Sequence, residues 1–215
     1  MVGKLIPYLI IAVATALALW RGAPYATIPF IAAMLAWYTA RMALTDTTPA
    51  TIKEERDATR ERPLAAIVGI GMIFIPLLAL ATPVLDFAAY GAFPGQLIAG
   101  ALSALAGLYL FWRSHTDLGS MWSAHLEVRE NHALVTRGIY NRMRHPMYAA
   151  IFLITIAQAL LLTNWLAGPA GLLAFTLLYV TRVGPEEQMM ADEFGTDWEV
   201  YAARTPRLLP RLGRE

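Results

Sequence analysis

LVTRGIYNRMRHPMY, Leu134 to Tyr148, is the stretch on which the reading of this chain turns. It lies between two apolar blocks, and its last residues, Met147 and Tyr148, open the second of them. An Arg-His pair pressed against a membrane-length apolar run needs water, a partner or a ligand, because either group is costly to bury alone. Pro146 suits the first turn of a helix, where its missing N–H costs nothing, so the next helix is expected to start there. The backbone N–H groups of that turn are then available to an anion. The stretch reads as a site set at a membrane surface.

Outward from it, the chain is mostly apolar. Of 215 residues, 57% are hydrophobic and only 15% charged, against about 25% charged in soluble proteins, and the mean hydropathy is +0.48. With several apolar runs near the length that crosses a bilayer, roughly 18 residues or more, an integral membrane protein is expected rather than one greasy soluble core. The net charge of +1 offers no basic face for nucleic acid. The absence of cysteine excludes disulfides, thiolate metal sites and a cysteine nucleophile.

Six spans are expected: Leu5 to Trp20, Ala26 to Leu44, Leu64 to Ala81, Gly95 to Trp112, Pro146 to Leu162 and Trp165 to Thr181. The first could also be read as a signal peptide, but a second apolar run follows almost at once, so a helical hairpin is simpler. Gly69 and Gly71 allow close helix contact in the third span, and Pro76 is expected to kink it. Thr45 to Arg62 reads as a surface loop with a short helical piece, and Pro185 to Ala203 as an amphipathic helix interrupted at Gly195. In this arrangement sixteen of the seventeen Lys and Arg residues fall on one side, with only Arg21 opposite. Both termini and all three polar segments are therefore expected in the cytoplasm. The expected fold class is an all-α helical bundle in the membrane, ending in a cytoplasmic amphipathic helix. It is one domain overall, with N-terminal transmembrane helices over residues 1–112 and a core over residues 113–215.

That topology brings the second polar segment and the C-terminal segment to one membrane face. His145 opens span five and Glu186-Glu187 follow span six, so antiparallel neighbours place them at one depth. Two acids, Arg144 and His145 gathered there form either a polar pocket against lipid or a solvated loop snorkelling its charges.

The residues LVTRGIY, RHPMY, Arg182 with Glu186-Glu187, Phe194-Gly195 and Tyr201 with TPRLLP occur in an order that resembles the isoprenylcysteine carboxyl methyltransferase family, whose wider relatives include membrane phospholipid N-methyltransferases. The resemblance covers roughly Leu118 to Pro210. It implies an S-adenosylmethionine site using Leu134, Val135, Gly138 and Tyr140 of the first motif, Arg144, His145, Pro146 and Tyr148 of the second, and Glu186 and Glu187. A helix start beside Arg144 and His145 suits the cofactor's carboxylate, and Glu186 or Glu187 its ammonium or a ribose hydroxyl. Tyr140 or Tyr148 would pack on the adenine or face the sulfonium. Arg204 or Arg182 would hold an acceptor carboxylate, with Glu187 as a third catalytic candidate. The implied activity is methyl transfer to a lipophilic acceptor entering from the bilayer, most like esterification of a prenylated cysteine. N-methylation of a lipid amine and S-methylation of a small thiol are the alternatives, and outside enzymes a scaffold or transporter. Two departures stand out: Ala150 replaces a common Gly, and Gly184-Pro185 is expected to break the helix before the Glu pair.

Other constellations are thinner. His125 and His132 are seven apart, but no HExxH or Cys-His pattern supports a metal. No G-x-S-x-G or P-loop is present. Leu118-Gly119 through Trp122 reads as interfacial packing or as the family's lead-in.

Overall fold

A computed structural model describes residues 2–22, 27–44, 52–55, 58–119, 127–129 and 133–210. The elements are α1 (Val2–Trp20), α2 (Thr27–Leu44), β1 (Ile52–Glu55), α3 (Ala58–Gly69), a π turn (Ile70–Phe74), α4 (Ile75–Ala81), α5 (Pro94–Leu118), β2 (Glu127–Arg129), α6 (Pro146–Leu161), α7 (Ala170–Phe194) and α8 (Thr196–Arg204). The expected helical membrane fold is what the chain adopts. Thr27–Leu44, Arg62–Ala81 and Pro94–Leu118 are long and apolar enough to cross a bilayer, and Leu5–Trp20 and Pro146–Leu161 are shorter apolar helices. Leu9, Val13, Phe74, Leu102, Leu105, Leu173 and Val180 are exposed on the helix faces, the pattern expected where lipid rather than water is the neighbour.

Small residues set how closely the helices approach. A Cβ at Gly100 would lie 2.7 Å from the Leu161 side chain, and one at Gly107 would lie 2.9 Å from Ile154, so α5 and α6 pack nearly backbone to backbone. Ser103 Oγ donates to Leu153 O between the same helices at 2.7 Å. Gly71 meets the start of α7, where a Cβ would stand 2.6 Å from Ala170 O; Gly69 makes no such approach. Pro76 does not simply kink its span. The helix widens into the π turn just before it, which is one way a helix absorbs the lost N–H and the ring's bulk. Gln158 then donates to Gly71 O in that turn (3.0 Å) and to Ala167 O (2.9 Å), tying three elements together inside the bundle.

Three expectations need correction. Gly184-Pro185 does not break the helix: α7 runs through it to Phe194, because proline's φ is helical and one missing bond costs less than the packing on either side stabilises. Span six does not begin at Trp165. Residues 164–169 form a turn in which Asn164 Oδ1 accepts from Leu166 N and Ala167 N at 3.0 and 2.9 Å, and α7 starts at Ala170. The first polar segment is more than a loop with a short helical piece, since β1 pairs antiparallel with β2, Glu55 opposite Glu127, joining the two polar segments in a short ribbon. Gly195, at φ 52°, separates α7 from α8 as expected. His125, His132 and Trp122 lie outside the described residues.

Candidate active site

His145 is the N-cap of α6, with Pro146 at the first helical position. Its ring is buried, and each nitrogen faces a different carboxylate: Nε2 lies 3.0 Å from Glu187 Oε1 and Nδ1 3.5 Å from Glu186 Oε1. This bridging is possible because α7 continues through Pro185. Successive residues on an intact helix diverge by about 100°, so Glu186 and Glu187 grip the imidazole from two sides.

The two carboxylates have different company. Glu187 also takes Arg144 Nη2 at 3.1 Å and the Arg207 guanidinium, through Nη2 at 2.6 Å and Nε at 3.1 Å. Glu186 takes the Tyr148 hydroxyl, with Arg182 Nε at 3.6 Å. Burial pushes the Glu187 carboxyl upward, but hydrogen bonds from His145 and Arg207 and the Arg144 charge outweigh it and bring its pKa down to about 2. Glu186 is held below the ordinary carboxylate value in the same way, its burial overcome chiefly by His145 and Arg182. Burial pulls the imidazole of His145 down, yet its bonds to Glu186 and Glu187 together hold it above the ordinary histidine value.

Arg144 is the cluster's second anchor. Its Nη1 donates to Ala202 O at 2.7 Å, its guanidinium lies over the Trp198 ring at 5.9 Å, and its Nε is buried with no hydrogen-bond partner among the described residues. The chain after α8 straps across the cluster: Arg144 N donates to Pro206 O (2.8 Å) and His145 N to Arg207 O (2.9 Å). Tyr140 is buried and its carbonyl accepts from the Tyr201 hydroxyl at 2.6 Å, locking the 3-10 turn Gly138–Asn141 to α8. Burial raises the Tyr201 hydroxyl to about 12, so it remains a donor at any physiological pH.

A cavity of about 670 Å³ opens from this cluster. Leu134, Val135, Tyr140, Arg144, His145, Pro146, Tyr148, Arg182 and Glu186 line its polar end. From there it runs along α6 to Gln158, with Phe30, Met34, Met72 and Ile73 on its walls. Pro146 and Gln158 are separated by about 18 Å of helix rise. The result is a charged head joined to a long apolar shaft.

Not every expected residue stands there. Glu186 lines the cavity, whereas Glu187 is taken up by His145, Arg144 and Arg207 beside it. Gly138 lies outside it and serves geometry: its φ is 62°, and a Cβ would stand 2.4 Å from the Asp117 carboxylate that also accepts Ile139 N. Arg204, at the end of α8, is exposed and outside the cavity. Arg207, three residues on within the TPRLLP motif, is also outside the cavity and pairs with Glu187. Trp37, Tyr38 and Arg41 of α2 also line the cavity, and nothing in their own sequence neighbourhood marks them. Among the described residues no group of three His, Cys, Asp or Glu side chains is placed to hold a metal ion.

Comparison with known proteins bears on the same region. Residues 99–192 match the model of the isoprenylcysteine carboxyl methyltransferase (ICMT) family. The chain is 38% identical over 101 residues to the cobalt-zinc-cadmium resistance protein CzcN of Cupriavidus metallidurans, covering 46% of each. It is 31% identical over 81 residues to protein-S-isoprenylcysteine O-methyltransferase B of Arabidopsis thaliana, covering 38% of this chain and 41% of that one. It thus spans less than half the length of these curated relatives. In fold it is similar to the eukaryotic intramembrane Ras methyltransferase ICMT, with a TM-score of 0.59 and 20% identity over 96% of this chain and 74% of that one.

Proposed function

We propose, from the premise that residues 99–192 carry the core of the isoprenylcysteine carboxyl methyltransferase family, that this integral membrane protein is an S-adenosylmethionine-dependent methyltransferase acting on a lipophilic acceptor, most like O-methylation of an isoprenylcysteine carboxylate. The observation that carries the reading is the union, in one cavity, of the Arg144-His145-Glu186 head with an apolar shaft along α6. The cytoplasmic face is assigned to the head, and both termini to the cytoplasm, in keeping with the charge asymmetry. In this reading residues 113–215 are the methyl-transfer core, and the helices of residues 1–112 close the acceptor side.

The residues present fit the cofactor. Arg144 Nε is a buried donor with no partner among the described residues, suited to the amino-acid carboxylate. Glu186 is the acid that faces the cavity and suits the ammonium or a ribose hydroxyl, and Tyr148 and Tyr140 offer aromatic surface. When bound, S-adenosylmethionine supplies an electrophilic methyl group on its sulfonium sulfur.

The chain's own contribution is positioning. Arg182 lines the cavity beside Glu186 and is assigned to orient an acceptor carboxylate, in preference to the exposed Arg204. A carboxylate needs no general base, so alignment and exclusion of water account for much of the rate. Glu187 acts through Arg144, His145 and Arg207, holding the head in register with the strap. The test is methyl-labelled cofactor supplied with a prenylated cysteine analogue or with an amino-headgroup lipid. Esterification of the first is expected, slowed about 30- to 150-fold in Arg182→Ala by loss of a charge-assisted bond of ~2–3 kcal/mol. Methylation of the amine lipid alone would refute the carboxylate reading.

A further inference from the structure

On the opposite side of α6 from the polar head lies a second, separate groove of about 900 Å³, between α5, α6 and the strap that follows α8. Its walls are apolar, with Tyr109 from α5, Leu153 and Ile156 from α6 and Leu209 from the strap. Tyr109 and Leu209 are among the exposed large hydrophobic residues. Two arginines stand in the same lining, Arg113 and Arg142, and among the described residues no carboxylate does. Arg113 is paired with Asp117 at 2.9 Å, whereas the exposed Arg142 guanidinium has no partner among the described residues.

The placement of charge along the groove is what makes it specific. Arg113 follows the apolar run of α5 directly, and Arg142 lies four residues before Pro146, so both cations sit where the helices meet the membrane surface. Ile156 lies about 15 Å of helix rise beyond Pro146. The groove therefore has cations at the headgroup level and an apolar trough below them, the dimensions of a phospholipid acyl chain under an anionic phosphate. We infer that it is a binding site for an anionic phospholipid, with the phosphate against Arg142 and Arg113 and one chain along α6. Neutral lipid would fill the trough without answering the exposed Arg142 cation, and a second protein would have to cover a face that points into the bilayer.

The experiment uses the whole chain in nanodiscs of phosphatidylcholine mixed with phosphatidylglycerol, followed by mild extraction and mass spectrometry of the lipid retained. Phosphatidylglycerol is expected to be retained above its share of the bilayer. Arg142→Gln should lower that preference about fivefold, the equivalent of the ~1 kcal/mol one arginine gains at an anionic surface. Arg137→Gln is the control: it removes the same charge from an exposed residue on the same face but outside the groove. Equal losses in the two variants would reduce the effect to general surface charge and overturn the site, as would no enrichment in the wild type. Displacement of the retained lipid by a prenylated cysteine would reassign the groove to the acceptor and equally overturn it. The readout needs no cofactor and no turnover, so its failure is distinct from failure of the methyltransferase reading.

Discussion

Replacing Glu187 by glutamine removes one charge and leaves the shape of the side chain nearly unchanged, which isolates what that charge does. Its oxygens receive His145, Arg144 and two nitrogens of Arg207, and the carboxyl pKa falls from 4.5 to about 2. A fall of that size corresponds to about 3 kcal/mol of native-state stabilisation at neutral pH. The sign follows from the direction of the shift. A depressed carboxylate stabilises the fold above its unfolded pKa, and the contribution is lost as pH falls through the folded value. Roughly half should remain near pH 3 and little near pH 2. Glu187→Gln in detergent should therefore lower Tm by about 6–12 °C at neutral pH, and the gap to wild type should narrow progressively on acidification. A gap that stays constant from neutral pH to pH 3, or one under about 1 kcal/mol at neutral pH, would refute the idea that Glu187 is the charged keystone of the site.

Three further outcomes are expected. The His145 imidazole should titrate above 6.5 in an NMR series, because its bonds to Glu186 and Glu187 outweigh the cost of burial; its bridging contribution is complete below 6.5 and fades as pH rises through the raised value, and a midpoint at or below 6.5 would contradict the geometry. Gly71→Val should destabilise the bundle by about 1–3 kcal/mol in thermal denaturation, since its Cβ would stand 2.6 Å from Ala170 O, whereas Gly69→Ala, with open space around it, should be close to neutral. Reporter fusions at Pro83 and Asn164 should both appear on the side opposite the termini; a cytoplasmic signal at either would break the six-span topology.

Much of the site was legible in the sequence because its chemistry is concentrated in short motifs. Pro146 announces a helix start, and an Arg-His pair beside it announces an unmet electrostatic need. Charge asymmetry then brings Glu186 and Glu187 to the same face. What could not be read was decided by tertiary contact. Gly184-Pro185 looks like a helix stop, yet α7 continues, and only that continuity lets both glutamates reach one imidazole. Arg204 and Arg207 are both cations at the end of an amphipathic helix, and their order of importance depends on how the chain turns after Arg204. Because that turn is a strap bonded to Arg144 and His145, it is Arg207 that meets Glu187. Trp37, Tyr38 and Arg41 reach the cavity only through the packing of α2 against the core, which leaves no local signature. The π turn before Pro76 is likewise a response to packing, since a proline alone signals a kink and not its form.

If the Arg144-His145-Glu186 head holds S-adenosylmethionine, calorimetric titration of the cofactor into the purified protein will register it. Saturable binding is expected in the wild type, strongly weakened in Arg144→Gln and Glu186→Gln. Arg204→Gln, which removes a charge outside the cavity, should bind like the wild type. Wild-type affinity in both Arg144→Gln and Glu186→Gln, with the fold intact by circular dichroism, would contradict the assignment and leave the cluster as a structural ion-pair network.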